Sequence, residues 1–499
     1  MEKVIVIGSG FAGLSTAAFL AKAGYKVKIL EKNTTTGGRA RVFKAKGYTF
    51  DMGPSWYWMP EIFENFFNEF NHCTDDFYKL IQLDPGFKIV FRNKDIDIPS
   101  NWDEICQVFD NHEKNGSDKL KLFMKDAEEK YNIGLEFLYN SPGLSITELF
   151  RKNIIKNINK LEILTTYRQH IKKYFTNSYL INILEFPVLF LGTAANNTPA
   201  LYSLMAYSGI KQGTFYPIGG FNEVIKAMEK ICQKHGVEIA TNQEVQKINI
   251  TNNKVTSVTT INKIIKTDLL IGTADYAHIE EKLLEKKYRN YSDSSWKSKK
   301  FSPSALIFYL GVNKKIEKLD HHTLFFDEDI QKHTEEIYEN PRWPSKPLFY
   351  TCCPSKSDPN VAPDGKENLF ILIPIAAGLE DSETIREGYF NRIIRRLETY
   401  CEQNIKENIE YKKSYCINNF KEDYNAYKGN AYGLANTLLQ TANLKPKIIN
   451  KKIKNMYYSG QLTVPGPGVP PSIISGQLVA EHIIRNKKNI KILDYEKNI

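Results

Sequence analysis

The sequence predicts an α/β protein in which a Rossmann-like dinucleotide-binding domain is interleaved with an α+β substrate domain. Three observations predict it. The chain opens as strand, glycine turn, helix and strand. It closes with a strand, a Pro/Gly loop and a helix between Met456 and Ile484. Between these ends helical blocks and short β-like runs alternate, with no internal repeat and no long low-complexity linker. At 499 residues the chain also exceeds what one core serves, so two intimately joined domains are expected.

Val4-Ile5-Val6-Ile7 is a short apolar run ending at Gly8, the pattern of a strand buried on both faces of a parallel sheet. Ala12 to Ala23 has helical spacing and stops at Gly24, and Val27 to Leu30 is a second strand, completing a βαβ unit. From about residue 101 to 210, Leu and Ile recur at helical spacing among Lys and Asn, which predicts a mainly helical region. Within it lies the apolar stretch Leu184 to Leu191, broken by Glu185 and Pro187. Tyr216 to Gly220 is a turn leading into a helix with apolar positions Phe221, Val224, Ile225, Met228, Ile231 and Cys232. Val237 to Ala240 is a strand, and Val245 to Ile250 with Val255 to Ile261 form a hairpin around Asn252-Asn253. Leu269 to Gly272 is another strand, and the β-like runs from Ser304 to Ala377 suggest a mixed or antiparallel sheet. The expected division is a discontinuous dinucleotide-binding unit of residues 1–85, 215–290 and 441–499. Residues 86–214 and 291–440 form the expected substrate- and membrane-associated unit.

Composition excludes some classes. The net charge is +10, but the basic residues are scattered in pieces such as Lys297 to Lys300 and Arg485 to Lys488, so nucleic acid is not expected. Weak attraction to anionic lipid fits better. Seven cysteines occur without a CxxC pair, which reads as reduced, buried thiols in a cytosolic protein. The first apolar stretch is interrupted by glycines and carries Glu31, so no signal peptide is expected. No run of about 18 apolar residues predicts a transmembrane helix.

The strongest motif is Gly8-Ser9-Gly10-Phe11-Ala12-Gly13, a GxGxxG that follows a strand and opens a helix. Gly8 permits the tight turn and Gly10 lets backbone approach a pyrophosphate on the helix N-terminus. Gly13 lets helix and strand pack closely. Glu31, followed by Lys32, ends the second strand. A carboxylate there accepts hydrogen bonds from ribose hydroxyls and repels a 2′-phosphate, which argues against NADP. Gly37-Gly38-Arg39 adds a second glycine pair and a guanidinium.

The stretch from Val4 to Arg39 resembles the extended FAD fingerprint of the amine oxidase and carotenoid desaturase superfamily. The resemblance implies a flavin amine oxidase-like architecture and FAD as cofactor. Phe50 to Ser55, with Gly53, Pro54 and Ser55, resembles the segment beside the flavin ring. Glu244-Val245 and Thr273-Ala274-Asp275 match the strands near the adenine. Within the superfamily the chain is similar to bacterial-type phytoene desaturases over nearly its whole length. Two motifs carry this: Asp51 to Pro60, and Gly460 to Ser472 followed by Gly476. The second, including Gly468, Val469 and Pro470, is a loop whose backbone can approach the flavin before a helix begins near Ser472. That helix start favours negative charge on the ring as it is reduced. Many relatives have a Gly-Ala-Gly-Thr-His type of sequence where this chain has Ser459-Gly460-Gln461-Leu462-Thr463. A backbone role survives that change, and a histidine role does not.

The resemblance implies desaturation of a C40 carotenoid precursor, phytoene to lycopene in several steps. The flavin would carry the chemistry, and no catalytic residue is assigned. Candidate lining residues of an apolar tunnel are Trp56, Tyr57, Trp58, Phe186, Phe190, Leu191, Tyr202, Tyr207, Phe215 and Tyr432. No Ser/His/Asp or metal-ligand constellation is evident, and His321-His322 reads as a solvated pair in a polar turn. Oxygen or a membrane quinone is the expected electron acceptor. The expected location is cytoplasmic, peripherally held on the inner face of the membrane through the helical region, including Phe186 to Leu191. A later-acting carotenoid desaturase, a carotenoid isomerase and an amine oxidase would share the same FAD site. A prenyl-lipid carrier on this fold would not use a flavin.

Overall fold

A computed structural model describes residues 1–145, Glu148, 160–191 and 194–496. Among the described residues a five-stranded sheet forms in the order Met456–Tyr458, Leu269–Gly272, Lys3–Ile7, Lys26–Leu30 and Glu238–Ala240. Its pairings are all parallel. The first strand is central and buried from Val4 to Ile7, as its unbroken apolar run requires. Strands from the two ends and the middle of the chain therefore share one sheet.

Helices cover this sheet. Phe11–Lys22 starts directly after the glycine turn and is buried along nearly its whole length. It crosses the terminal helix Val469–Glu496 at very short range: a Cβ on Gly476 would lie 2.6 Å from the Cβ of Ser15. Ser15 Oγ also donates to the Ile473 carbonyl oxygen at 2.8 Å. Phe221–Lys234 packs its apolar face, Val224, Ile225, Met228 and Ile231, into the same core. The hairpin Val245–Thr251 and Lys254–Thr260 turns at Asn252 and Asn253, both left-handed with φ of 51° and 58°.

The second layer is a seven-stranded mixed sheet, in the order Ile409–Tyr415, Ser304–Val312, Glu367–Ile375, Phe349–Cys352, His322–Phe326, Phe87–Phe91 and Asp95–Ile98. Only the pairing of His322–Phe326 with Phe87–Phe91 is parallel among its described pairings. Its long central strands are apolar throughout because both faces are covered. The helical region packs on one face, led by Gly116–Asn140, whose buried Leu120, Phe123, Met124, Ala127 and Tyr131 follow helical spacing.

Three expectations need correction. His321 and His322 are buried rather than solvated, and His322 opens a strand of the large sheet. The stretch from Leu184 to Val188 is core, since Leu184, Phe186 and Val188 are buried, so it is not available as a lipid-facing patch. The terminal helix starts at Val469, three residues before Ser472. Pro470 and Pro471 fit its first turn, where backbone N–H groups have no intrahelical acceptor anyway.

All seven cysteines are free thiols and six are buried. Among the described residues no helix is long and apolar enough to cross a membrane.

Candidate active site

A single cavity of about 620 Å³ runs from the N-terminal glycine turn to the helical region. Its polar end is built by the parallel sheet. Gly8 has φ +104°, and a Cβ there would stand 3.0 Å from Thr273 Oγ1. A Cβ on Gly13 would lie 2.1 Å from the Gly8 carbonyl oxygen, so Gly13 is required for packing and does not line the cavity. Gly10 is different: the nearest atom to a Cβ there is Gly38 Cα at 4.0 Å, leaving space above its backbone. Gly8, Gly10, Phe11 and Ala12 face the cavity with Gly38 and Arg39.

Glu31 is buried beneath this turn. Its Oε2 accepts from Ser9 N at 3.0 Å and Ser9 Oγ at 2.7 Å. Its Oε1 accepts from Asn33 N at 2.8 Å and Asn33 Nδ2 at 3.0 Å. The carboxylate thus braces the glycine loop as well as facing the cavity. Lys32 lines the cavity too, with Nζ 3.6 Å from a Glu244 carboxylate oxygen. Val245 and Asp275 close this end. Asp275 caps Tyr276–His278 through His278 N at 3.2 Å and accepts from Tyr427 N at 3.2 Å.

Arg39 is held over the Tyr424 ring at 5.1 Å and donates from Nη2 to the Asn430 carbonyl oxygen at 3.2 Å. Its Nε is buried and has no partner in the chain. Burial lowers the pKa of this guanidinium, and Asp275 opposes the shift. Burial raises the Asp275 carboxyl in turn, against its backbone hydrogen bonds and Arg39. Gln243 Oε1 and Gln461 Nε2, on two other lining residues, are also buried and unpartnered. A loop with open space over Gly10, a half-buried cation with a spare buried donor and further orphaned polar atoms fit a dinucleotide pyrophosphate.

Asp51 anchors the middle of the cavity from behind. Its Oδ2 accepts from Phe221 N at 2.9 Å, and burial pushes its pKa up to about 7. Tyr309 donates to the Met52 carbonyl oxygen at 2.7 Å. The segment between carries Gly53, Pro54, Ser55 and Trp56 along the cavity wall. Gly53 lies so close to Arg39 that a Cβ would stand 2.6 Å from the Arg39 carbonyl oxygen. Across from it run Gly460, Gly468, Val469 and Pro470, with the start of the terminal helix facing inward. This loop is tied down by Ser475, whose Oγ accepts from Gly460 N at 2.9 Å and lies 3.1 Å from Thr463 Oγ1.

The apolar end is walled by Ile133, Phe137 and Leu138 of the long helix, by Leu201, Tyr202, Leu204 and Met205, and by Ile307 and Leu372 of the large sheet. Of the tunnel candidates, Trp56, Trp58, Tyr202 and Tyr432 line this cavity. Phe186 is buried among Trp56, Trp58 and Phe87 and is core. Tyr57 is fully buried and shares a 2.8 Å hydroxyl contact with Tyr78. Tyr207 points elsewhere, donating to Glu128 at 2.9 Å. Phe215 pairs backbone with Tyr57 and does not reach the cavity. The side chains of Phe190 and Leu191 lie outside the described residues.

Sequence reasoning missed Asp423, Tyr424 and Asn425 at the end of Ile417–Tyr424. Asp423 accepts from Arg41 Nη2 at 2.5 Å and from Tyr415 at 2.8 Å, and its carbonyl oxygen accepts from Asn33 Nδ2 at 3.0 Å. No motif marks these residues, and Arg41 and Asn33 lie 382 and 390 residues from Asp423 in sequence.

Fold and site together define an FAD-dependent oxidoreductase: the chain belongs to the flavin containing amine oxidoreductase family, which matches residues 11–484. It is 36% identical to a carotenoid 3,4-desaturase of Haloarcula japonica, over 97% of this chain and 98% of that protein. It is 29% identical to a phytoene desaturase of Fusarium fujikuroi, over 97% of this chain and 90% of that one. A 4,4'-diapophytoene desaturase of Staphylococcus aureus is 27% identical, over 97% of this chain and 99% of that one. The same fold occurs in a solved oxidoreductase of Methanosarcina mazei, with a TM-score of 0.61 and 18% identity over 96% of this chain and 100% of that one. A solved putrescine oxidase shares it with a TM-score of 0.62 and 12% identity over 97% and 99%.

Proposed function

We propose that the chain uses FAD to introduce double bonds into a long carotenoid-type polyene. The observation that carries this reading is the cavity itself, which continues from the dinucleotide end into an apolar chamber. Among the described lining residues the carboxylates are Glu31, Glu244, Asp275 and Asp423, all at the dinucleotide end. Among the described residues the apolar chamber therefore offers no carboxylate to pair with an amine, and its walls suit a hydrocarbon. FAD supplies the two-electron acceptor when bound. The chain's own residues supply placement: Gly10, Gly38 and Arg39 for the pyrophosphate, Glu31 and Lys32 for the ribose end, and Gly53 to Ser55 with Gly460 and Gly468 to Pro470 for the ring. We assign residues 1–85, 215–290 and 441–499 to the FAD-binding unit and 86–214 and 291–440 to the substrate unit, with Asp423 to Asn425 reaching across from the second.

Two substrates have separate support. Phytoene rests on the motifs at Asp51 to Pro60 and Gly460 to Ser472. A later, already conjugated carotene rests on the 36% identical carotenoid 3,4-desaturase. Expression beside a phytoene supply and beside a lycopene supply, followed by pigment chromatography, separates them by which pool is consumed.

A C40 hydrocarbon has to be collected from a bilayer, and the surface near the apolar end supports peripheral docking there. Leu164 is 93% exposed and Leu439 is 81% exposed, next in sequence to Ile163 and close to Thr441, which line the cavity. We place membrane contact at these two segments, with oxygen or a quinone as the electron acceptor. Flotation with liposomes tests it: wild type should float and Leu164→Ser with Leu439→Ser should remain below.

A further inference from the structure

We propose that Tyr350, in the cavity wall beside Ser55, takes the proton released on desaturation while passing its own phenolic proton to His322 behind it. The inference rests on the polyene reading above. Tyr350 and Ser55 both line the cavity, and their hydroxyl oxygens are 2.9 Å apart. On its other side the Tyr350 hydroxyl is 2.6 Å from His322 Nδ1. His322 is fully buried and stacked on Trp56 with ring centroids 4.0 Å apart and an angle of 14°, so its orientation is fixed. Its Nε2 has no partner in the chain. With hydrogen on Nε2, Nδ1 is the acceptor and the phenol the donor. The His321 ring lies 4.5 Å beyond, and its Nδ1 is 3.0 Å from the hydroxyl of half-buried Ser357. Ser55, Tyr350 and His322 thus form a short hydrogen-bonded relay behind the cavity wall.

The chemistry balances. One C–H bond breaks, and its hydrogen passes to FAD together with the electron pair, as positive charge develops on a carbon conjugated with the polyene. The neighbouring C–H bond breaks in the same step, so that flavin bleaching reads the proton transfer as well, and its electron pair becomes the new C=C bond. The proton goes to the Tyr350 oxygen as the Tyr350 O–H proton moves to His322 Nδ1. One double bond, two electrons and one hydrogen on the cofactor, and one proton on the imidazole result. A proton beside a carbocation is so acidic that a weak neutral acceptor suffices. Burial holds His322 well below its usual pKa and Tyr350 well above, so both rest neutral. The groups facing the pair are Ser55, Trp56, His321, Cys352 and Tyr432, and burial keeps the Cys352 thiol protonated.

The test is anaerobic mixing of FAD-loaded protein with polyene-bearing liposomes, following flavin bleaching in H2O and D2O. Wild type should bleach with a solvent isotope effect of about twofold or more. Tyr350→Phe should slow bleaching roughly 100-fold and lose the isotope effect, with FAD affinity and flavin spectrum unchanged. His322→Phe keeps a ring against Trp56 and should slow bleaching by roughly tenfold. Either variant bleaching within about twofold of wild type overturns the relay, as does a wild-type reaction with no solvent isotope effect. The last readout decides the matter even where a variant fails to load FAD. Wild-type protein that no polyene bleaches refutes the desaturase reading itself.

Discussion

A Cβ placed on Gly38 would stand 3.2 Å from the Cα of Gly10. The two glycine turns therefore form one floor, and Gly10 and Gly13 of the first turn are needed for different reasons. Gly10→Ala adds a methyl into the space left for a pyrophosphate. It should abolish FAD binding while leaving the melting temperature of the apo protein unchanged. Gly13→Ala drives a methyl into the Gly8 carbonyl and should destabilise the apo protein by at least about 2 kcal/mol. Thermal unfolding with and without FAD distinguishes the two.

Glu31→Ala should weaken FAD binding by about 1.5–3 kcal/mol, because a charged hydrogen-bond partner is lost. It should also lower apo stability, since Glu31 accepts four hydrogen bonds from Ser9 and Asn33. Fluorescence titration with FAD gives the first number and apo unfolding the second. An unchanged FAD affinity would show that the ribose end is held elsewhere.

Much of this site was legible in the sequence because its parts are local. GxGxxG belongs to one βαβ unit, and Glu31 and Gly37 to Arg39 follow directly after it. The loop before the terminal helix was legible for the same reason, although its proline-tolerant first turn shifted the helix start to Val469. Asp423 and Tyr424 were not legible, because nothing local marks a side chain whose partners, Arg41 and Arg39, sit near the other end of the chain. His321-His322 misled because flanking polar residues suggest a turn, while burial is set by Trp56 and Tyr350 from distant strands and loops. Phe186 misled in the opposite sense: an apolar run cannot declare whether it faces lipid, ligand or core.

Asp51 makes stability depend on pH. Its folded pKa of about 7 lies above the ordinary 3.8, so the folded state holds the proton more tightly than the unfolded chain. Its contribution is fully present below pH 3.8 and is lost as pH rises through about 7. Urea unfolding of the apo protein should show a falling contribution of up to roughly 1.4 kcal/mol per pH unit in that window. Asp51→Asn should remove this component of the slope, leaving the rest of the profile in place.

Bulk in the apolar chamber should change products before it changes the cofactor. Gly134 lines the cavity on the long helix, and a Cβ there would meet Leu204 Cδ2 at 3.3 Å. Gly134→Phe should shift the product pattern toward fewer desaturation steps on chromatography, with FAD affinity within about twofold of wild type. A variant that loses FAD and activity together would place the cofactor, rather than substrate, beside this helix.

The most direct measurement is anaerobic single turnover of the FAD-loaded protein in liposomes carrying phytoene or lycopene, with flavin absorbance and polyene mass read from the same sample. One of the two polyenes should bleach the flavin and lose two hydrogens per flavin reduced. Protein that binds FAD yet leaves both polyenes unchanged, or that changes only their cis/trans geometry without bleaching, would contradict it.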